Sequence, residues 1–65
     1  MSLLLDIYVE RAAQCRRDGD DTALMEVRDR CLRSALAWDE MADRLRTTEA
    51  LRVSELARKA EQSVV

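Results

Sequence analysis

From Leu24 to about Ala60 the chain contains neither proline nor glycine, and its apolar residues recur at helical spacing. At 100° per residue, Leu24, Val27, Cys31, Ala35, Trp38, Ala42, Leu45, Val53, Leu56 and Ala60 fall in one stripe roughly 120° wide. That pattern predicts a single long amphipathic helix over about residues 23–61. Thr47-Thr48 is its weakest point, but without a breaker the helix is expected to continue through it and to fray near Glu61–Val65. The stripe needs cover, and the rest of a 65-residue chain is too small to supply all of it.

The remaining residues predict a shorter first helix over about 2–18. Ser2 suits its N-cap, and Asp6 lies in its favourable early turns. Leu4, Ile7, Tyr8, Arg11, Ala12 and Cys15 share one broad face, while Leu3, Leu5 and Val9 extend the apolar surface almost all round. A turn is expected over about 18–22, in Asp18-Gly19-Asp20-Asp21-Thr22. There Gly19 would end the first helix, and an aspartate or Thr22 would cap the second. Arg16 and Arg17 would then face the negative end of the first helix dipole. On the outer face of the second helix, Glu26→Arg30, Asp29→Arg33, Glu40→Arg44 and Glu55→Lys59 have the spacing and order of supporting ion pairs.

The fold class is therefore all-α, one domain of residues 1–65 built as an antiparallel two-helix hairpin with a short first arm and a long second arm. With the turn near Gly19–Asp21, facing positions sum to about 41. Cys15 then lies near Glu26 and Val27, Tyr8 near Leu32 and Arg33, and Leu3 or Leu4 beside Leu36 and Trp38. Past Ala42 the first helix has ended, leaving Leu45, Val53, Leu56 and Ala60 without an internal partner. A second flank of Met25, Leu32 and Leu36 is also uncovered. The expected answer is a homo-oligomer, a dimer first of all, in which two hairpins complete a four-helix bundle. The core and interface set is Leu4, Tyr8, Cys31, Ala35, Trp38, Ala42, Leu45, Glu49, Val53 and Leu56. Glu49 interrupts the apolar stripe, as a residue that sets register or meets an arginine across an interface would.

The sequence offers no constellation for catalysis. Histidine is absent, so no nucleophile–base set can be assembled, and there is no glycine-rich phosphate loop. No catalytic residue, cofactor or metal site is expected. Cys15 and Cys31 lack the spacing of a zinc site. In the register above they stand about 7 Å apart along the axis, a poor geometry for a disulfide, so both are expected to be buried core thiols. The carboxylates Glu26, Asp29, Asp39, Glu40 and Asp43 fall mostly on the polar face, without the inward Glu-x-x-His of carboxylate-bridged metal bundles. The Asp18–Asp21 cluster lacks the alternating ligands of a calcium loop.

Net charge is −2, from 13 acidic and 11 basic residues. No overall positive field would draw the chain to nucleic acid. Arg28, Arg30, Arg33, Arg44 and Arg46 alternate with acids, the pattern of a salt-bridged surface. Direct nucleic-acid binding is not expected. Asp6 and Glu10 interrupt the apolar N-terminus before it could form a signal core or membrane span. No membrane association is expected, and a reducing cytoplasm is the expected location.

Residues 27–42, Val-Arg-Asp-Arg-Cys-Leu-Arg-Ser-Ala-Leu-Ala-Trp-Asp-Glu-Met-Ala, resemble a group of short bacterial proteins with the pattern V-R-x-x-x-L-x-x-A-x-x-W-x-x-M/L-A. Tyr8, Ala12 and Cys15 fit the first half of that pattern, and the likeness spans about residues 7–50. It implies a helical hairpin and a bacterial source. The group has no assigned function, so no activity is carried over, and Gly19 stands where alanine is expected. Two function classes follow. One is a small self-associating helical interaction or scaffold module without catalytic activity, which would also dock an unidentified protein partner. The alternative is an accessory regulator, antitoxin-like or transcription-associated, acting through a protein partner.

Overall fold

The computed structural model describes residues 2–63. Among them are two α-helices and no strand. Helix α1 runs Leu3–Asp21 and α2 runs Met25–Ser63. They pack against each other as an antiparallel hairpin with extents of 64 × 16 × 11 Å. The unequal arms expected from the sequence are present. Val64 and Val65, where fraying was expected, lie outside the described residues.

Ser2 starts α1 from an extended backbone conformation. Its Oγ accepts a hydrogen bond from the Leu5 N–H at 3.3 Å, and its carbonyl accepts one from the Asp6 N–H at 3.2 Å. One otherwise orphaned donor is thereby satisfied, which is why this serine fixes the helix start. α2 is continuous through Thr47-Thr48. There the Thr48 hydroxyl donates to the Arg44 carbonyl one turn back at 2.9 Å, sharing a helix acceptor without interrupting the helix.

The turn lies later than the sequence suggests. Asp18, Gly19, Asp20 and Asp21 are all helical, no glycine has positive φ, and only Thr22–Leu24 separate the helices. Gly19 is therefore not the terminator expected of it. It is buried inside α1, where an added Cβ would stand 3.2 Å from the Cβ of Cys31. A glycine in a helix costs about 1 kcal/mol relative to alanine. Here the missing side chain lets the two helices come together, and packing overrides local propensity.

Three aspartates now occupy the negative end of the α1 dipole, an unfavourable place for them. Arg28 of α2 answers this. Its guanidinium donates from Nε to the Gly19 carbonyl at 3.4 Å and from Nη2 to the Thr22 carbonyl at 3.2 Å, capping α1 from outside. The expected roles of Arg16 and Arg17 at that dipole are not realised, because the helix continues past them. α2 starts when Thr22 Oγ1 accepts from the Leu24 N–H at 3.2 Å and the Leu24 carbonyl accepts from the Arg28 N–H at 3.0 Å.

The later turn changes the register. Gly19 lies against Cys31, and the rings of Tyr8 and Trp38 meet with centroids 5.7 Å apart. Facing positions thus sum to between 46 and 50, not 41. Tyr8 consequently meets Trp38 rather than Leu32 and Arg33, and Cys15 moves away from Glu26 and Val27 toward the level of Cys31. α1 also reaches further along its partner. Ser2 shares a surface depression with Glu49, Arg52 and Val53. Leu45 and Glu49 are half-buried, so they have internal cover, contrary to the expectation that α1 ends level with Ala42.

Candidate functional site

The contact seam of α1 consists of Leu5, Tyr8, Ala12, Cys15 and Gly19, continued by Thr22 just past its end, in alternating steps of three and four. That of α2 consists of Cys31, Ala35, Trp38, Ala42, Leu45 and Glu49, in the same steps. Side chains at such spacing share one face and interlock across an antiparallel pair. In this register Tyr8 stands opposite Ala42, Trp38 opposite Ala12, Cys15 opposite Ala35 and Cys31 opposite Gly19. Each larger side chain faces a small one. The small residues are the ones fully covered: Ala12, Ala35 and Ala42 are at most 2% exposed.

Several expected core residues lie elsewhere. Leu4 is 47% exposed and Ile7 43%, because the close approach of the helices admits only a narrow seam, and Leu5 takes the place expected for Leu4. Cys15 and Cys31 are half-buried rather than buried, and both are free thiols. Val53 and Leu56, expected to have no partner inside the chain, are exposed, as are all the residues from Ala50 to Ser63. Met25, Leu32 and Leu36 are exposed on the outer flank.

The electrostatics are those of a wet surface. Arg16 and Asp39 form an ion pair that joins the two helices, with both side chains partly exposed. Arg17 pairs with Glu10 at 2.8 Å along α1, Arg46 with Asp43 at 2.9 Å, and Arg58 with Glu55. The four expected pairs with the acid four residues before the base are not among the ion pairs of the described residues. On an exposed helix the neighbour three residues away is equally within reach, and such pairs contribute only tenths of a kcal/mol. Among the described residues no group of three or more Cys, Asp or Glu is placed to hold a metal ion, and no helix is long and apolar enough to cross a membrane.

Hydrogen bonding to Arg16 holds the Asp39 carboxyl below its ordinary pKa, partly opposed by desolvation and aided by the charges of Arg16 and Arg46. The same hydrogen bond, with the charge of Asp39, raises the pKa of Arg16. A carboxyl lowered on folding stabilises the hairpin above its unfolded pKa, and that contribution is lost as pH falls through its folded value. Asp39→Asn is expected to lower the urea midpoint slightly at neutral pH. The gap between wild type and variant should then close under acid. A gap that stays constant down to the folded pKa of Asp39 and below it would refute this.

Seam and surface together define a class, an antiparallel α-hairpin with unequal arms whose polar groups serve caps and ion pairs. In comparisons with known proteins no family model matches the chain, and no curated protein or solved structure matches it.

Proposed function

We propose that the protein is a small self-associating helical module without catalytic activity, in which two hairpins complete a four-helix bundle. The observation that carries this is how little a single chain buries. Among the described residues the fully buried apolar ones are three alanines, while eleven large apolar side chains are exposed. Burial contributes roughly 25 cal/mol per Å² of apolar surface, so a seam of alanines supplies little of what a fold needs.

The accessible surface supports the same reading. It is 5412 Å² for 7.5 kDa, against about 4,200 Å² for a compact monomer of that mass. The excess, on the order of 1,000 Å², is comparable with the roughly 800 Å² that each partner buries in a stable complex. Leu51, Val53 and Leu56 on the projecting end of α2 belong to this surplus, together with Leu32 and Leu36 on its flank. The projecting segment has no internal cover, and an isolated helix of its length is marginal in water.

Light scattering on the size-exclusion peak is expected to give about twice the chain mass of 7.5 kDa at micromolar concentration. Leu56→Ala should raise the dissociation constant about tenfold or more, since a symmetric dimer loses the side chain twice. Helicity should change little. A well-ordered monomer at that concentration, or an unaltered dissociation constant in the variant, would refute the reading.

A further inference from the structure

Helix α2 carries a second stripe besides the one that α1 covers. Met25, Leu32, Asp39, Arg46 and Val53 recur every seven residues, and Leu36, Asp43, Ala50 and Ala57 follow four residues after the last four of these. Such an alternation of three and four is the pattern of a coiled-coil seam, and this one lies roughly 90° round α2 from the first. Arg16 of α1 meets Asp39, so the stripe is on the flank of the hairpin that this ion pair bridges. Met25, Leu32, Leu36 and Val53 are large apolar side chains left exposed there, and Ala50 and Ala57 are exposed beside them.

We propose that a second copy of the chain packs antiparallel on this stripe, about a two-fold axis that passes between Asp43 and Arg46. This rests on the self-association proposed above, and it names the face and the register. With the axis there, Leu32 meets Ala57 of the second copy, Leu36 meets Val53, Asp39 meets Ala50 and Asp43 meets Arg46, each contact occurring twice. Leu32 then faces a small residue, as large side chains do in the α1–α2 seam. Asp39 brings no free charge, because Arg16 already holds it. Asp43 and Arg46 are exposed and pair within their own helix at 2.9 Å, so they can exchange partners across the axis. Charge fixes the register. Sliding the copy by one heptad in one direction sets Asp39 against Asp43, carboxylate on carboxylate. Sliding it in the other sets Asp43 on Val53 and Arg46 on Ala50, and neither charge has a partner across the interface. The two-fold also carries α1 of the second copy to the same side as α1 of the first. It arrives level with the projecting end of α2, where Val53 and Leu56 are exposed.

The test is sedimentation equilibrium on Asp43→Arg and Arg46→Asp, each alone and the two mixed in equal amounts. Either reversal alone sets like charges together twice per dimer and is expected to raise the dissociation constant about tenfold or more. Helicity should persist, because both positions are exposed. The mixture should recover the dimer, since each altered residue then meets the opposite charge. The contact between positions 43 and 46 within a chain stays broken in both variants, so recovery reports the contact between copies alone. Leu36→Glu should also weaken association. Ile7→Glu should not, because Ile7 stands half a turn round α1 from Arg16, on the other flank. A monomeric wild type would remove self-association itself, and this proposal with it. A dimeric wild type that neither reversal weakens, that mixing does not restore, or that Ile7→Glu breaks in place of Leu36→Glu would overturn the face and register alone.

Discussion

Trp38→Ala is expected to lower the free energy of unfolding by about 3 kcal/mol, toward the low end of large-to-small aromatic replacements because the side chain is only partly buried. Trp38 is the only tryptophan, and it fills the seam opposite Ala12 while its ring meets that of Tyr8 in a tilted arrangement, at an interplanar angle of 38°. Alanine there would leave two small residues facing each other and Tyr8 without a ring to pack on. The α1–α2 seam contains no other aromatic pair among the described residues. Small domains bury too little to absorb such a loss. Urea unfolding followed by helical circular dichroism, at one fixed protein concentration, checks this. A loss below about 1 kcal/mol would mean that the aromatic pair is not central to the seam.

Gly19→Leu should act in the opposite way, by excess of volume. An added Cβ already stands 3.2 Å from the Cβ of Cys31, tighter than ordinary van der Waals contact. Three further carbons have to displace the facing helix. Overpacking of this kind typically costs about 1–3 kcal/mol, and here leucine's gain of roughly 0.8 kcal/mol in helix propensity over glycine offsets only part of it. The expected result is a lower urea midpoint despite the better helix former. A raised midpoint would show that Gly19 is a tolerated helical glycine and not a packing requirement.

These two residues show where the sequence was informative. The long α2 was legible because a continuous 3.6-residue period without Gly or Pro admits one regular structure. Ser2 was legible as a cap because its action is local. The α1 seam was visible in principle, since Leu5, Tyr8, Ala12, Cys15 and Gly19 keep alternating steps of three and four. It was obscured by Leu3, Leu4, Ile7 and Val9, whose size suggests burial. In a closely approaching helix pair the buried positions go to small residues instead, and the large ones remain outside.

Arg28 was missed as a cap because its partners, the Gly19 and Thr22 carbonyls, lie in the other helix or in the connection. A signal was present in the Asp18–Asp21 cluster, which at a helix C-terminus calls for a nearby cation. That signal depends on the cluster lying in a helix, which local propensity does not determine. The sequence by itself determined two helices, their unequal lengths and the stripe that α2 presents. Tertiary structure alone decided where the chain reverses, and with it the register, the opposition of Cys31 to Gly19 and the cover of Leu45 and Glu49. The physical reason is one of scale. Local propensities at Asp18–Thr22 differ by about 1 kcal/mol or less between helix and turn, so the closer packing of two helices through a glycine is enough to move the turn by several residues.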